Sequence, residues 1–279
     1  MMILDGKTLS QKIIDDLSLE IRNLNLHPVL DIIIVGDDPS SQKYVQLKQK
    51  RAESIGINGT VHQLNQNATT QEVISLIEKL NQDKNVSAFM VQLPLPPQID
   101  TPKVLSKIDP DKDADGLNPF NLGLLFQKKS TGSAPATACG IIRLLEEYQI
   151  DIGGKNAVII GRSSEVSIPL FALLLGKNAT VTICHSHTEN LQEICKKADI
   201  IISAIGKPKF LTKDFIKDQA IVIDVGFGID KNGQVSGDFD FDEVSKIAEF
   251  ITPVPGGVGP MTIASLLYNT VQIAKNQNL

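Results

Sequence analysis

Tryptophan is absent from this 279-residue chain, and aromatic residues make up only 5% of it. The hydrophobic core must therefore be built mainly from Ile, Leu and Val. No apolar run approaches the length of a transmembrane helix. Residues 1–7 also lack the basic start and sustained apolar segment of a signal peptide. We therefore expect a cytoplasmic protein that does not bind membranes.

Cysteine and excess positive charge are also scarce. The net charge of -5 argues against nucleic acid or an anionic membrane as the main partner. Cys139, Cys184 and Cys195 are odd in number and lack paired spacing, which predicts free thiols in a reducing cytosol. The run Cys-His-Ser-His at 184–187 resembles part of a metal site, but no further ligands cluster elsewhere, so we predict no metal.

Strand and helix patterns alternate along the chain. With 42% hydrophobic and 21% charged residues, the composition is that of a soluble globular protein with one large or two ordinary domains. Apolar runs predict strands, and stripes of period 3.6 between them predict helices. This alternation predicts an α/β fold with parallel sheets. The predicted strands cover 30–35, 57–64, 88–93, 156–160, 179–184, 200–206 and 220–226.

A lysine interrupts the apolar face of the helix that follows the first of these strands. Pro39 and two serines open this helix after the Gly36 loop. Projection at 100° per residue places Lys48 in the middle of the face that should meet the protein. Its head group either reaches water along a packed stem or is a buried amine with a lowered pKa. Helix geometry alone favours the first, whereas Tyr44 on the same face favours a site for a flat substrate. That face collects Ser41, Tyr44, Val45, Ala52 and Ile55.

Polar groups also follow the strand at 88–93. Pro94 cannot continue a central strand, so Gln92 should lie where the strand leaves the sheet, at the edge where ligands bind in parallel sheets. An acidic turn at 109–116 is a second candidate there. The alternatives are an ordinary strand-end amide for Gln92 and a solvated loop for the turn.

The second half begins like a dinucleotide-binding unit. A strand runs into Gly161 and then a helix, although only one of the usual glycines is present. Ser167 and Pro169 would cap that helix and direct its N-terminus at a phosphate. The next strand ends at Ser186 without the acidic residue typical of NAD sites, and Arg162 with Ser186 offers donors for a 2′-phosphate. This favours NADP, unless Arg162 is only a loop charge and Ser186 only a turn.

Together these motifs are highly specific: the chain resembles the bifunctional methylenetetrahydrofolate dehydrogenase/methenyltetrahydrofolate cyclohydrolase family over nearly its whole length. The resemblance implies two α/β domains around a cleft, the second a Rossmann-like NADP-binding domain, and a homodimer. It places the folate-binding catalytic domain at 1–137 plus 261–279 and the dinucleotide-binding domain at 138–260. The motifs that carry the resemblance lie at 36–48, 91–96, 111–116, 161–163, 184–186 and 251–262.

The resemblance implies a reaction and its residues. The reaction is oxidation of 5,10-methylenetetrahydrofolate by NADP to the methenyl cation, followed by hydrolysis to 10-formyltetrahydrofolate. Lys48 would be the catalytic lysine, with Gln92 positioning it and Tyr44 stacking on the tetrahydrofolate substrate. The other implied contacts are Asp115 and Pro260 with the substrate, and Gly161, Arg162, Ser163, Ser186 and the backbone near Phe227 with the cofactor.

Three positions depart from the family pattern. Ser167 replaces a usual glycine, where its hydroxymethyl group would either crowd the cofactor pyrophosphate or donate to it. Ala136-Thr137-Ala138 replaces Cys-Thr-Pro, and Phe227-Gly228 replaces Ile-Asn. Other functions considered are a dehydrogenase without the hydrolytic step, a nucleotide-sensing binding protein and an NADP dehydrogenase for a small acid. Retention of Lys48, Gln92 and Asp115 disfavours the binding protein. The Tyr44/Lys48 face and the Pro/Gly loop at 253–260 disfavour the small-acid enzyme.

Overall fold

The computed structural model describes residues 1–127 and 133–277, which form eleven strands and ten α-helices. No helix within these ranges is long and apolar enough to cross a membrane. The strands are β1 (Met2–Ile3), β2 (Leu30–Val35), β3 (Val61–Leu64), β4 (Ala88–Val91), β5 (Asn156–Ile160), β6 (Thr180–Cys184), β7 (Ile200–Ser203), β8 (Ile221–Asp224), β9 (Gly228–Ile229), β10 (Val235–Ser236) and β11 (Phe250–Ile251).

The helices are amphipathic or buried segments between these strands. A short 3₁₀ turn at Lys213–Phe215 lies between β7 and β8. The α-helices are α1 (Gly6–Asn23), α2 (Pro39–Glu53), α3 (Thr70–Gln82), α4 (Thr101–Leu105), α5 (Pro119–Phe126), α6 (Ala136–Glu147), α7 (Ser167–Gly176), α8 (Leu191–Cys195), α9 (Phe241–Val244) and α10 (Val258–Gln277).

The chain forms two compact units, each with its own sheet. The Lys48 unit comprises residues 12–136 and 263–279, and the Gly161 unit comprises residues 1–11 and 137–262. The N-terminal residues differ from the expected division, which placed all of 1–137 in the first domain. Strand β1 pairs with β11, Met2 beside Phe250, so the start of the chain completes the sheet of the Gly161 unit.

A three-stranded parallel sheet, in the order β3-β2-β4, is the centre of the Lys48 unit. Every residue of β2 is buried, because the sheet is covered on both faces. Ile32 and Ile34 point to a cluster formed with α1, α2 and α10. Ile33 and Val35 point to the opposite cluster, formed with α3 and α4. The period of two in the strand thus separates two cores.

The Gly161 unit contains a six-stranded parallel sheet, in the order β1-β11-β8-β7-β5-β6. From β5 the chain moves outward to β6 and then returns to the other side of β5 to form β7. This reversal creates a crevice at the carboxyl ends of β5 and β7, which is where doubly wound sheets bind nucleotides. Strands β9 and β10 form a separate antiparallel pair.

Candidate active site

Helix α2 carries Lys48 into the core of the Lys48 unit. The helix begins at Pro39, but its cap differs from the predicted serine. The Asp38 carboxylate accepts a hydrogen bond from the Ser41 backbone N–H at 2.7 Å, because an aspartate one residue before the proline already occupies the N-cap position. Val45 and Ala52 of the same face are buried, as the periodicity predicted. Lys48 is only 3% exposed.

The Lys48 amine has three close neighbours. Its Nζ donates a hydrogen bond to Gln92 Oε1 at 3.0 Å and lies 3.4 Å from Met90 Sδ. It also lies 4.6 Å from the centre of the Tyr44 ring. Met90 and Gln92 are two residues apart, so both side chains leave β4 and its extension on the face covered by α2. Strand geometry therefore explains why the amine meets both of them.

Gln92 lies where the sequence placed it, immediately after the last residue of β4. Its backbone N–H still donates to Ile33 O at 2.8 Å, which fixes the residue at the sheet edge. Its side-chain Nε2 donates to Leu93 O at 2.6 Å. That bond orients the amide so that its oxygen faces Lys48.

Burial changes the protonation equilibrium of the Lys48 amine. Loss of water around Lys48 lowers its pKa to about 8, while the negative charge of Asp115 acts in the opposite direction. Because Lys48 is only 3% exposed, its head group does not extend to solvent. Of the two interpretations of this lysine, the buried amine is the one that the geometry supports. Such an amine exchanges protons near neutral pH.

Asp115 belongs to the acidic turn, and its position depends on a neighbour that sequence reasoning did not single out. Asp113 is fully buried and accepts hydrogen bonds from Gly116 N, Asn118 N and Asn121 Nδ2 at 3.0, 2.7 and 3.0 Å. Burial raises the pKa of Asp113 to about 6. The turn is therefore built around a carboxylate, and a solvated loop is the wrong description of it. An Asp three residues before Gly is typical of such turns and was the available signal.

A second unpredicted residue holds the same turn. Asn269 of α10 donates to Ala114 O and Ala134 O, both at 2.9 Å. Residue 113 also forms a parallel bridge with Phe89 of β4. Asp115 is thus fixed on both sides by buried contacts. These contacts join residues far apart in the chain, so no local pattern predicted them.

Pro260 was also predicted to contact the substrate. It lies in the first turn of α10, in the Gly161 unit, and is half-buried. The Lys48 unit therefore brings together Tyr44, Lys48, Gln92 and Asp115 without it. Its role stays a prediction.

The loop after β5 begins with a glycine that no other residue can replace. Gly161 has φ of +133°, and a Cβ there would lie 2.9 Å from Ala204 O and 2.8 Å from Ser167 Oγ. Only glycine fits, so backbone lines the crevice between β5 and β7. Ser163 Oγ accepts hydrogen bonds from Val166 N and Ser167 N at 3.2 and 3.4 Å. Ser163, rather than the predicted Ser167, therefore caps the start of α7.

Ser167 is packed against the Gly161 loop in the protein interior. It is completely buried, and its Oγ has no hydrogen-bond partner within the described parts of the chain. The Ser167 hydroxyl lies next to Gly161, because a Cβ on Gly161 would be 2.8 Å from Ser167 Oγ. Serine in place of the usual glycine therefore puts a buried hydroxyl group in the protein interior with no hydrogen-bond partner among the described residues.

Three remaining cofactor candidates lie on the surface of the Gly161 unit. Arg162 and Ser186 are exposed, each two residues beyond the paired strand ends Ile160 and Cys184. Both follow the carboxyl ends of paired strands, and both carry donors suited to an anionic 2′-phosphate, so these residues fit NADP. Phe227 is 63% exposed and follows β8, at the same carboxyl edge.

Two family descriptions match the chain. "Tetrahydrofolate dehydrogenase/cyclohydrolase, catalytic domain" matches residues 4–115. "Tetrahydrofolate dehydrogenase/cyclohydrolase, NAD(P)-binding domain" matches residues 135–278. Together they span most of the chain.

Individual relatives and structures agree with these matches. The chain is 47% identical to the "Bifunctional protein FolD" of Nautilia profundicola, over 99% of this chain and 98% of that protein. The fold matches the crystal structure of the bifunctional FolD dehydrogenase/cyclohydrolase of Campylobacter jejuni, with a TM-score of 0.96, 46% identity and 99% of each chain covered. It also matches the Trypanosoma brucei FolD structure complexed with NADP cofactor and inhibitor, with a TM-score of 0.94, 37% identity and 99% and 98% coverage. The chain therefore belongs to the tetrahydrofolate dehydrogenase/cyclohydrolase family.

Proposed function

We propose that this chain is a bifunctional folate one-carbon enzyme. It oxidises 5,10-methylenetetrahydrofolate to the methenyl cation with NADP and hydrolyses the cation to 10-formyltetrahydrofolate. The observation that carries this proposal is the buried Lys48 amine, 3.0 Å from Gln92 Oε1. Family membership supplies the two reactions, and the amine provides the proton chemistry for the second.

The oxidative step depends mainly on orientation. NADP, when bound, accepts the hydride. Gly161 lets the backbone come close to the cofactor, and Arg162 and Ser186 hold its 2′-phosphate. Tyr44 stacks on the pterin ring and Asp115 hydrogen-bonds it. These contacts convert an encounter of two reactants into an ordered approach.

The hydrolytic step needs a base beside a cation. With a pKa of about 8, roughly a tenth of Lys48 is neutral at pH 7. The neutral amine takes a proton from the water whose oxygen bonds to the methenyl carbon. The carbon–N5 bond then breaks as the new hydroxyl becomes the formyl carbonyl, N5 takes up a proton, and one proton leaves to solvent. A fully protonated lysine would instead repel the methenyl cation. Burial thus creates the base by disfavouring its charged form.

Gln92 and Tyr44 tune that base. The Gln92 oxygen fixes the direction of the Lys48 amine, because its own amide nitrogen is held by Leu93 O. The Tyr44 ring lies beside the amine at 4.6 Å and interacts favourably with its protonated form. The amine is therefore held in one place in both protonation states.

A coupled assay tests the proposal. Purified protein is mixed with methylenetetrahydrofolate and, in parallel reactions, with NADP or NAD, and methenyl absorbance is followed together with 10-formyl product. The proposal expects reduced cofactor and 10-formyl product, with NADP preferred. Methenyl accumulation without hydrolysis would show a dehydrogenase only. Binding of NADP without turnover would show a nucleotide-sensing protein.

Cofactor preference should depend on Arg162. We expect Arg162→Ala to weaken NADP binding about 10- to 100-fold, because a charge-assisted contact worth about 1.5–3 kcal/mol is lost. NAD binding should stay within about two-fold, since NAD has no 2′-phosphate. Calorimetric titration with each cofactor measures both effects. Lys155→Ala, an exposed cation just before β5, is the matched control. Equal weakening of NADP and NAD by Arg162→Ala would contradict the assignment.

We further propose that the enzyme is a cytoplasmic homodimer that acts on tetrahydrofolate without nucleic acid. The family resemblance supports the homodimer. The free thiols of Cys139, Cys184 and Cys195 support a reducing compartment. The net charge of -5 argues against nucleic acid. The Lys48 unit would be the folate-binding domain and the Gly161 unit the dinucleotide-binding domain.

A further inference from the structure

The crevice at the carboxyl ends of β5 and β7 has a second wall. The Gly161 loop forms one side, and residues 204–207, which follow β7, form the other. The two walls come so close that a Cβ on Gly161 would lie 2.9 Å from Ala204 O. The segment that begins at residue 204 therefore starts in direct contact with the Gly161 loop, at the carboxyl ends of β5 and β7.

Asp238 holds this second wall from inside the protein. Its side chain is fully buried. Asp238 Oδ2 accepts hydrogen bonds from Ser203 Oγ at 2.7 Å and Ile205 N at 2.8 Å, and Oδ1 accepts one from Lys207 N at 2.7 Å. One carboxylate thus binds three donors that lie within five residues. These three bonds fix the turn that follows β7.

Asp224, at the end of β8, holds Asp238 in turn. Asp224 Oδ1 accepts from Asp238 N at 3.0 Å and from Gly226 N at 2.9 Å, while Oδ2 accepts from Phe239 N at 2.9 Å. The two buried carboxylates form one network, which also anchors the backbone immediately before Phe227. Burial raises the pKa of Asp224 to about 7, and the Asp238 charge adds to this effect.

Two glycines leave room for the carboxylates. A Cβ on Gly226 would overlap the Asp238 carboxylate, and a Cβ on Gly237 would overlap the Asp224 carboxylate. Asp238 therefore packs directly against the Gly226 backbone, and Asp224 packs directly against the Gly237 backbone. Because the packing is this close, replacing either carboxylate should shift the backbone that it touches.

We propose that Asp238 and Asp224 are positioning residues for the cofactor, which hold residues 204–207 and 226 in the shape that binds NADP. This inference rests on the proposed function. Both side chains are buried and touch the walls of the crevice from behind, so they act through the backbone that meets the cofactor. Neither belongs to the Lys48 cluster, so the hydrolytic step should not depend on them.

Asp238→Asn tests the proposal. In this variant an amide nitrogen, which is a donor, replaces one carboxylate oxygen, which is an acceptor. At least one hydrogen bond then becomes a repulsive contact between two donors, and the turn shifts. We expect calorimetric titration to show NADP binding weakened by about 10- to 100-fold. Hydrolysis of methenyltetrahydrofolate, supplied directly and without NADP, should stay within about three-fold of the wild type.

Asp199→Asn is the matched control. Asp199 also joins strands of this sheet, because it accepts a hydrogen bond from Asn156 N at 2.8 Å and pairs with Lys217. It lies at the amino ends of β5 and β7, opposite the crevice. We expect its replacement to leave NADP affinity within about two-fold of the wild type.

Unchanged NADP affinity in Asp238→Asn would overturn the proposal, and so would an equal loss of affinity in Asp199→Asn. If Asp238→Asn does not fold, Ser203→Ala decides, because it removes one donor and keeps the carboxylate. Weaker NADP binding with hydrolysis retained supports the proposal, and unchanged binding overturns it.

A wild-type chain that hydrolyses the methenyl substrate but does not bind NADP would overturn this inference and the oxidative half of the proposed function. A wild type with neither property would overturn the whole proposed function.

Discussion

Lys48→Met is expected to lower the rate of methenyltetrahydrofolate hydrolysis by about 100- to 10,000-fold, the range that general base catalysis contributes. The substitution removes the amine and keeps a side chain of similar length in the buried face of α2. Methionine fills irregular apolar sites well and needs no hydrogen-bond partner. The fold should therefore persist, and NADP binding by the Gly161 unit should be unchanged.

The assay for this variant uses the methenyl substrate directly and follows the loss of its absorbance. Lys50→Met is the matched control, because Lys50 lies on the same helix but is exposed. Its rate should remain within about two-fold of the wild type. Hydrolysis at the full wild-type rate by Lys48→Met would refute the assignment of Lys48 as the base.

The second large effect is on stability as a function of pH. We expect the free energy of unfolding of Lys48→Met, minus that of the wild type, to fall by roughly 2–3 kcal/mol between pH 7 and pH 10. Lys48 titrates near 10.5 in an unfolded chain and at about 8 in the folded protein. Between these values the unfolded state keeps a proton that the folded state has lost. The wild type therefore gains stability as the pH rises through this window.

The methionine variant has no amine at this position and does not share that gain. Below pH 8 the wild type retains the full cost of a buried charge, so the variant's relative stability is greatest there. Urea unfolding of both proteins at matched pH values measures the difference. Other titrating groups are common to both proteins and cancel. A difference that stays constant from pH 7 to pH 10 would contradict the lowered pKa.

Local periodicity predicted the parts of the site that depend on one element. The 3.6-residue pattern of α2 placed Lys48 and Tyr44 on its buried face, and Pro94 placed Gln92 at the end of its strand. The contact between Lys48 and Gln92 then follows from α2 covering the face of β4 that carries Met90. Short-range rules therefore placed these residues on their elements, whereas the choice between an exposed and a buried amine needed the packing of α2 against β4.

Residues far apart in sequence supplied what the patterns missed. Strand β1 has only two residues, and its pairing of Met2 with Phe250 has no local signal, so no strand was predicted there. Asp113 looked like one of several acidic loop residues until its three donors were known. Ser167 looked like a helix cap, although the Gly161 loop buries it. Each depends on tertiary packing, which overrides local preference.

The most direct test of this account is the pKa of Lys48, measured by NMR on protein with isotope-labelled lysine. The Lys48 signal is identified by its absence from the spectrum of Lys48→Met, and its shift is followed from pH 6 to pH 11. A buried Lys48 amine should titrate with a midpoint near 8, well below the midpoints of the exposed lysines. A midpoint near 10.5 would contradict the assignment of Lys48 as the base, because almost none of such an amine would be neutral at pH 7.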